Sequence, residues 1–434
     1  MHWKKKLKTD YREGGLILFL VILVLLSLFL SGWIWVQKVN QKGVNPVTQK
    51  DETSVVATRD ANLSQLLVVN QSGVPYLVND GRADLTKIIN IMSNWQLGKP
   101  EVDTYTPQKF VQEMKLPDTI LMAYANPVSG KLVGKTFGDK MFMAGVDGIK
   151  YIQLSTTDQD KSIQFFDEGR RKIYRFPLVQ SNDKIKHLKL NAERGRVDLT
   201  YQKYQVQLTR LETTKIKIRS YLIETETPDN VADRLFDEKE YTQRQDDEKQ
   251  RGIYNDGTRR QLIDNRVQGC YRYDYYPKQK VPMNQFDKRS DLANLLINEV
   301  YNDESMPYVR HYGQGNTLVY RPYIDNLPVF SDEDYGVLKF NLLNDQHLQI
   351  DFSKYVLRVP LPISKEREVT MGSWPGVKRQ LVNANFDVTQ IQDWMLGYEW
   401  TGDEKHQVAK LEPHWFIQLK DGEWYPVETY LKGV

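Results

Sequence analysis

The residues best suited to chemistry are scattered along this chain rather than grouped. Its six histidines are His2, His187, His311, His347, His406 and His414. No two stand at the i, i+4 spacing that lets a helix offer both rings to one metal ion, and a single cysteine, Cys270, cannot complete a ligand pair. His414 lies between Pro413 and Trp415 at the expected start of a strand, a setting that suits a hydrogen-bonding structural imidazole. Cys270 has no partner for an intramolecular disulfide and no activating neighbour, so it reads as a small core residue, and the fold must rest on core burial.

One nucleophile motif is present in form. Ser181-Asn182-Asp183-Lys184 fits S-x-x-K, in which a helix carries the lysine amine onto the serine hydroxyl. Here Ile185-Lys186-His187-Leu188-Lys189-Leu190 alternates like a strand, and that geometry would point the two side chains apart. No K-T-G partner occurs; Lys135-Thr136-Phe137 is the nearest approach. A polar turn explains the motif. Ser331-Asp332-Glu333-Asp334 clusters carboxylates, and Asp80-Gly81 and Asp256-Gly257 recur, but none has oxygen ligands at alternate positions with an acidic closing residue, as a calcium loop needs. These read as solvated turns. The 25 tyrosines could form a sugar-stacking face, yet tyrosine on half-buried strands accounts for them as well. No cofactor is expected.

The element that must position everything else is Leu16 to Val36, 21 residues without a charge. As a helix it would be about 32 Å long, matching a hydrocarbon core of about 30 Å. Trp33 and Trp35 sit at its far end, where indole rings favour the headgroup boundary. Lys4, Lys5, Lys6, Lys8 and Arg12 precede it and oppose only Asp10 and Glu13, so residues 1–15 hold the entire net charge of +3. The positive-inside rule places that end in the cytoplasm and residues 37–434 outside. A cleaved signal peptide would have a shorter apolar core and a small-x-small site instead of Trp33-Ile34-Trp35. Within the span, Ser27 and Ser31 are separated by four residues and share a face with Leu20, Leu23, Val24 and Ile34, a candidate contact stripe for partner helices in lipid.

Beyond the membrane the composition is that of folded, water-soluble protein: 40% hydrophobic, 26% charged, mean hydropathy −0.57 for the whole chain. The neutral ectodomain argues against nucleic acid as a partner. Strand and helix signals mix without βαβ alternation, which predicts an α+β fold of mixed antiparallel sheets and helices. The expected divisions are a cytoplasmic tail (1–15), the transmembrane helix (16–36), a polar stalk (37–62) and three α+β units, at 63–185, 186–305 and 306–434. Leu66–Val69 and Val74–Val78 predict a hairpin; Asp84 should cap a helix ending near Trp95; Thr106-Pro107 should open another. Strands are expected at 120–124, 140–143, 149–154, 187–190 and within 197–208. Residues 228–251 read as an exposed helix-rich segment, and a helix is expected from Ser290 or Asp291. Tyr271, Tyr273 and Tyr275 should share one strand face. Strands at 337–342, 348–352 and 356–361 precede helices at Trp374 and at 388–396. A terminal hairpin should close through a primed turn at Asp421-Gly422.

The C-terminal third resembles a known family. Asn326-Leu327-Pro328-Val329-Phe330, followed by acidic residues and Gly336-Val337-Leu338-Lys339-Phe340, is similar to the start of the YycH/YycI C-terminal domain. So are Leu396-Gly397-Tyr398-Glu399-Trp400 and Leu411-Glu412-Pro413-His414-Trp415-Phe416-Ile417. Ile253-Tyr254-Asn255-Asp256-Gly257-Thr258-Arg259 resembles a central element of YycH, and the chain length favours YycH over the shorter YycI. The resemblance implies a non-enzymatic, membrane-anchored regulator from a low-GC Gram-positive bacterium. It further implies association with a YycI-like protein and a WalK-like sensor histidine kinase, largely through transmembrane helices, and control of cell-wall metabolism through WalR. The rival reading is an anchored extracytoplasmic wall enzyme or glycan-binding module, which would need convergent titratable groups or an exposed aromatic platform.

Overall fold

The computed structural model describes residues 63–431 apart from 79–81, 139–140, 142, 144, 158–160, 181–193, 237–240, 247–250, 266–268, 282–291, 294–295, 297–299, 301–307, 315–316, 332, 363–366 and 404–406. The fold is α+β and mostly antiparallel. Among the described residues no helix is long and apolar enough to cross a membrane. The expected tail, span and stalk lie outside them.

The first sheet grows from strict alternation. β1 (Leu63–Gln71), β2 (Val74–Val78), β5 (Thr119–Val128), β6 (Ile149–Ser155), β7 (Ser162–Asp167), β8 (Lys172–Gln180), β9 (Arg194–Gln202) and β10 (Gln205–Arg210) pair antiparallel in the order β10-β9-β2-β1-β5-β6-β7-β8; β3 (Gln96–Leu97) and β4 (Glu101–Thr104) border β8. Odd and even residues feed separate cores on its two faces. Leu67, Val69, Ile120, Met122 and Tyr124 pack with α1 (Arg82–Met92) and α3 (Gly130–Phe137). Val68, Leu121 and Ala123 face the other way, against Phe110, Val111 and Met114 of α2 (Pro107–Met114).

Local signals account for most boundaries here. The β1–β2 turn has Ser72 and Gly73 at φ +49° and +80°, the conformation a primed hairpin turn requires. Thr106 accepts from Lys109 N–H ahead of Pro107 and so caps α2. The far end of α2 is satisfied by two buried amides. Asn70 Nδ2 donates to Met114 O at 2.9 Å, and Gln153 Nε2 donates to Glu113 O and Met114 O at 3.1 and 3.0 Å. Two expectations fail. Asp84 lies inside α1 rather than capping it, buried and paired with Lys87 at 3.0 Å. Of the expected strand at 140–143, residues 140 and 142 lie outside the described residues, and the other two are not in a strand: Met141 sits in a helical turn and Met143 packs against Gly130, whose N–H donates to Val146 O at 2.7 Å.

The second sheet holds the largest core. It comprises β12 (Arg219–Thr225), β13 (Thr242–Asp246), β14 (Arg251–Asn255), β15 (Arg260–Asn265), β16 (Cys270–Tyr275), β17 (Tyr308–Gln314), β18 (Thr317–Ile324), β19 (Leu327–Phe330), β20 (Leu338–Asn344), β21 (His347–Ser353), β22 (Tyr355–Pro360), β24 (Asp393–Asp403), β25 (Val408–Gln418) and β26 (Trp424–Pro426). Their order is β13-β14-β15-β16-β21-β20-β18-β19-β24-β25-β12-β22, with β17 beside β18 and β26 beside β25. β19 and β24 are a parallel pair. A separate two-stranded ribbon joins β11 (Thr214–Lys217) to β23 (Glu368–Met371). Further helices are α4 (Pro228–Leu235), α5 (Trp374–Asn383) and α6 (Glu428–Leu431).

Tyr271 and Tyr273 are fully buried on one face of β16, with Tyr275 half-buried beyond them, as the alternation predicts. The helix expected from Ser290 or Asp291 survives at 292, 293, 296 and 300, with Ala293, Leu296 and Val300 buried; its start is outside the described residues. Three expectations are corrected. The segment 228–251 is not helix-rich: α4 ends at Leu235 and β13 and β14 follow. The helix expected at 388–396 is a 3₁₀ turn at Val388–Gln390 leading into β24, because Leu396, Tyr398 and Trp400 alternate inward. The last turn is not primed. Gly422 N–H bonds Leu419 O at 3.0 Å, and of Asp421 and Gly422 only Gly422 has positive φ, at +87°, so a type I turn closes on a left-handed glycine.

Candidate functional site

The expected membrane contacts Leu20, Leu23, Val24, Ser27, Ser31 and Ile34 lie outside the described residues. So do the interface residues Trp33 and Trp35 and the topology determinants Lys4, Lys5, Lys6, Lys8 and Arg12. Ser181 and Lys184 of the S-x-x-K motif do as well. Of the histidines, His347 and His414 are described with their side chains. Among the described residues no cluster of three or more His, Cys, Asp or Glu side chains could hold a metal ion. Cys270 is half-buried on β16, and burial pushes its thiol pKa up, the reverse of activation.

His414 stands between carboxylates from two elements. Its Nε2 is 3.3 Å from Glu399 Oε2 on β24, and its Nδ1 is 3.1 Å from Glu428 Oε2 on α6. The second contact is an ion pair without the alignment of a hydrogen bond. Burial alone would lower the imidazole pKa. Glu428, Glu399 and Glu412 together outweigh it and raise the pKa above the usual value. The sequence expectation of a structural histidine is met in a specific way, since the ring stands between the last helix and the sheet, and its raised pKa favours the protonated form there. His347 is bound differently, its Nε2 2.7 Å from Asp274 Oδ1 and its ring stacked on Tyr276 at 4.4 Å.

One cluster of buried charges went unseen in the sequence. Glu226, 6% exposed in its side chain, receives both arms of the Arg234 guanidinium, at 3.0 and 2.8 Å. Arg234 also donates to Val300 O at 2.6 Å. Beside them Lys354 pairs with buried Asp264 and lies over the Tyr271 ring at 5.2 Å, while Tyr271 OH donates to Glu226 O at 2.7 Å. Two carboxylates beside a phenol resemble acid–base machinery by residue type. Here each charge faces an opposite charge and the phenol proton is committed to a main-chain carbonyl. The surrounding bonds dock α4: Tyr254 OH donates to Asp229 Oδ1 at 2.9 Å, Tyr241 OH to Asp233 Oδ1 at 2.7 Å, and Arg260 to Leu235 O at 2.8 Å at the helix C-terminus. Both tyrosine pKa values are raised. Burial and Asp229 act on Tyr254, and the hydrogen bond to Asp233 takes Tyr241 up to about 12. Thr227 caps α4 ahead of Pro228, while Lys354 and Asp264 meet across a separation in sequence that no local spacing encodes.

The aromatic residues are spent on cores. Trp95, Trp374, Trp400 and Trp415 are buried, with Trp374 stacked on half-buried Trp394 at 4.8 Å, and Trp415 Nε1 donates to Gly372 O at 3.0 Å. The described tyrosines exposed enough to offer a face to solvent include Tyr204 and Tyr276, on different sheets. They do not form a sugar-stacking platform together.

A family model for the YycH protein, C-terminal domain, matches residues 205–433, more than half of the chain. The chain belongs to the YycH family. A crystal structure of YycH from Bacillus subtilis superposes with a TM-score of 0.66 at 14% identity, over 85% of this chain and 96% of that one. At that identity the likeness shows a shared fold. No curated protein matches the sequence.

The YycH match opens at β10 and runs through the whole second sheet. The segments that carried the resemblance are packing and turn positions in that sheet. Asp325 and Asn326 form a primed turn at φ +49° and +64° between β18 and β19. Tyr398 is fully buried, and its hydroxyl donates to Lys217 O at 2.9 Å. Asp256 Oδ1 accepts the N–H groups of Thr258, Arg259 and Arg260 at 2.8, 2.7 and 3.0 Å; these bonds outweigh the burial that would raise its pKa and hold it below the usual carboxylate range. The YycH signature in this chain is therefore written in residues that shape the backbone and fill the core.

Proposed function

We propose that this protein is a membrane-anchored, non-enzymatic regulator that modulates a WalK-like sensor histidine kinase together with a YycI-like partner, and through it cell-wall metabolism. Membership in the YycH family carries the reading. The uncharged stretch from Leu16 to Val36 supplies the anchor, the basic residues ahead of it place the N-terminus in the cytoplasm, and the described domains lie outside. The kinase and its partner meet the anchor within the lipid, along the face of Ser27 and Ser31. The commitment of Glu226, Arg234, Asp264 and Lys354 to one another supports a scaffold over a reaction centre. The burial of the tryptophans weighs against a glycan-binding module. Capture of the tagged full-length protein from native membranes tests this. Co-purification of a histidine kinase is expected, and its absence when the protein is recovered intact would defeat the proposal.

A further inference from the structure

The ectodomain is neutral as a whole, but its charge is polarised along the chain. Residues 63–211, which build the first sheet and its helices, hold 21 Lys and Arg against 15 Asp and Glu, a net +6. Residues 212–434 hold 29 against 36, a net −7. The first sheet places part of its excess at one rim. The register sets Val128, Ile149, Asp167 and Lys172 side by side across β5, β6, β7 and β8. α3 leaves β5 at this rim, capped by Ser129, with Lys131 exposed in its first turn. The β7–β8 turn, two strands away, reads Asp167-Glu168-Gly169-Arg170-Arg171-Lys172. The fold turns both acids inward, 2% and 6% exposed. The Arg170 side chain stays 62% exposed although its Nη1 is 3.6 Å from Asp167 Oδ2. Arg171 and Lys172 are half-buried, and Arg171 Nε donates to Tyr105 O at 3.2 Å, which orients the guanidinium. Among the described residues, Asp103 and Asp147 are the exposed acids beside them.

The point where the chain enters the fold decides what this rim meets. Leu63 pairs with Tyr124 near the end of β5, so the chain arriving from the proposed anchor joins the sheet beside the rim. The 26 residues 37–62 separate Val36 from Leu63 and reach at most about 90 Å. We infer that the rim formed by Lys131, Arg170, Arg171 and Lys172 docks on anionic phospholipid headgroups of the membrane that carries the anchor. The inference rests on the proposed anchor. Tethering holds the rim at high effective concentration near that surface. A guanidinium meets phosphate oxygens through paired N–H donors, and an ammonium adds a compact charge. Each basic side chain at an anionic surface favours contact by about fivefold. The same surface repels the acidic residues 212–434, so the polarity of the ectodomain turns its first sheet towards the lipid.

The test is energy transfer from a dye on the full-length protein to labelled headgroups in nanodiscs. The dye sits on Asn90→Cys, an exposed position of α1, with Cys270→Ser as background. Discs of phosphatidylcholine alone are compared with discs of an equal mixture with phosphatidylglycerol. Transfer should be higher in the mixture and should fall back at high salt, where charges are screened. Lys131→Glu with Arg170→Gln removes three units of charge, which shifts the contact by about a hundredfold and should erase the gain. Lys131→Glu alone, at a solvent-facing position, should weaken it by about twenty-fivefold. Lys99→Glu with Lys161→Glu removes four units, but at the far ends of β8 and β7. That is about 15–20 Å from the rim and beyond a Debye length of about 8 Å, so this variant should keep the gain. Equal transfer in the two lipids, a rim variant that keeps the gain, or a far-end variant that loses it would overturn the docking and leave the anchor standing. Failure of the wild type to enter discs of either lipid would remove the anchor, and this inference with it.

Discussion

Arg234→Met replaces the guanidinium that neutralises Glu226 with an uncharged side chain of similar length. Glu226 would then keep only Arg358, whose Nη2 is 3.8 Å from Oε1, and Val300 O would lose its 2.6 Å donor. Removing one partner of a buried pair costs about 3–5 kcal/mol, because the remaining charge stays buried without compensation. Residual help from Arg358 places this case near the lower end, about 3 kcal/mol. For a module of this size that corresponds to a fall in Tm of roughly 6–12 °C. Urea unfolding followed by tryptophan fluorescence suits the measurement, since Trp374, Trp400 and Trp415 lie in the same core. Arg234→Met combined with Glu226→Gln removes the stranded charge and should recover about half of the loss. A loss under about 1 kcal/mol for Arg234→Met, or a double variant worse than the sum of the singles, would refute the view of this cluster as a buried structural pair.

His414→Gln should abolish a pH-dependent stabilisation of the C-terminal segment. With a folded pKa raised above 6.5, the His414 contribution is complete below that value and fades as pH rises through the folded pKa, so protection of residues 424–431 from proteolysis should decline in that direction in the wild type and stay level in the variant. Gly397→Ala would set a Cβ 2.6 Å from Phe330 Cε2 and 3.0 Å from Pro328 O, forcing β19 away from β24; a loss of about 1–3 kcal/mol in urea unfolding is expected, and none would contradict the close strand packing. A phosphatase fused after Val434 should be active outside the cell, and the purified protein should begin at or near Met1; processing near Ser31 or Gly32 would contradict the uncleaved anchor.

Where a signal was local, the sequence was readable. Leu67, Val68 and Val69 announce a strand with two apolar faces, Thr106-Pro107 a capped helix, and Tyr271, Tyr273 and Tyr275 a strand with one buried face. Short apolar runs deceived: Val388 to Leu396 satisfies helix and strand patterns over so few residues, and tertiary pairing with β25 decided for strand. At 228–251 charge suggested exposed helix, yet Tyr254 and Gly252 set a buried face for β14 that the surrounding charge obscured. The clusters around Glu226 and His414 were illegible for one physical reason. Each gathers groups from strands and helices that only the sheet order brings together, so no window of sequence contains them. The family resemblance succeeded because turn glycines, caps and inward aromatic residues are local features even when the contacts they serve are not.

The proposed regulation depends on contact within the membrane. Helices in lipid associate through close packing and interhelical hydrogen bonds, so the face bearing Ser27 and Ser31 should govern association while Leu18 and Leu25, on the other side, should not. The decisive measurement is quantitative co-purification of a sensor histidine kinase with the full-length protein, compared among the wild type, Ser27→Leu with Ser31→Leu, and Leu18→Ile with Leu25→Ile. The serine variant should recover markedly less kinase while inserting and folding normally, and the leucine variant should match the wild type. Equal recovery from all three would contradict the assignment of that face, and no kinase from any of them would contradict the regulatory function itself.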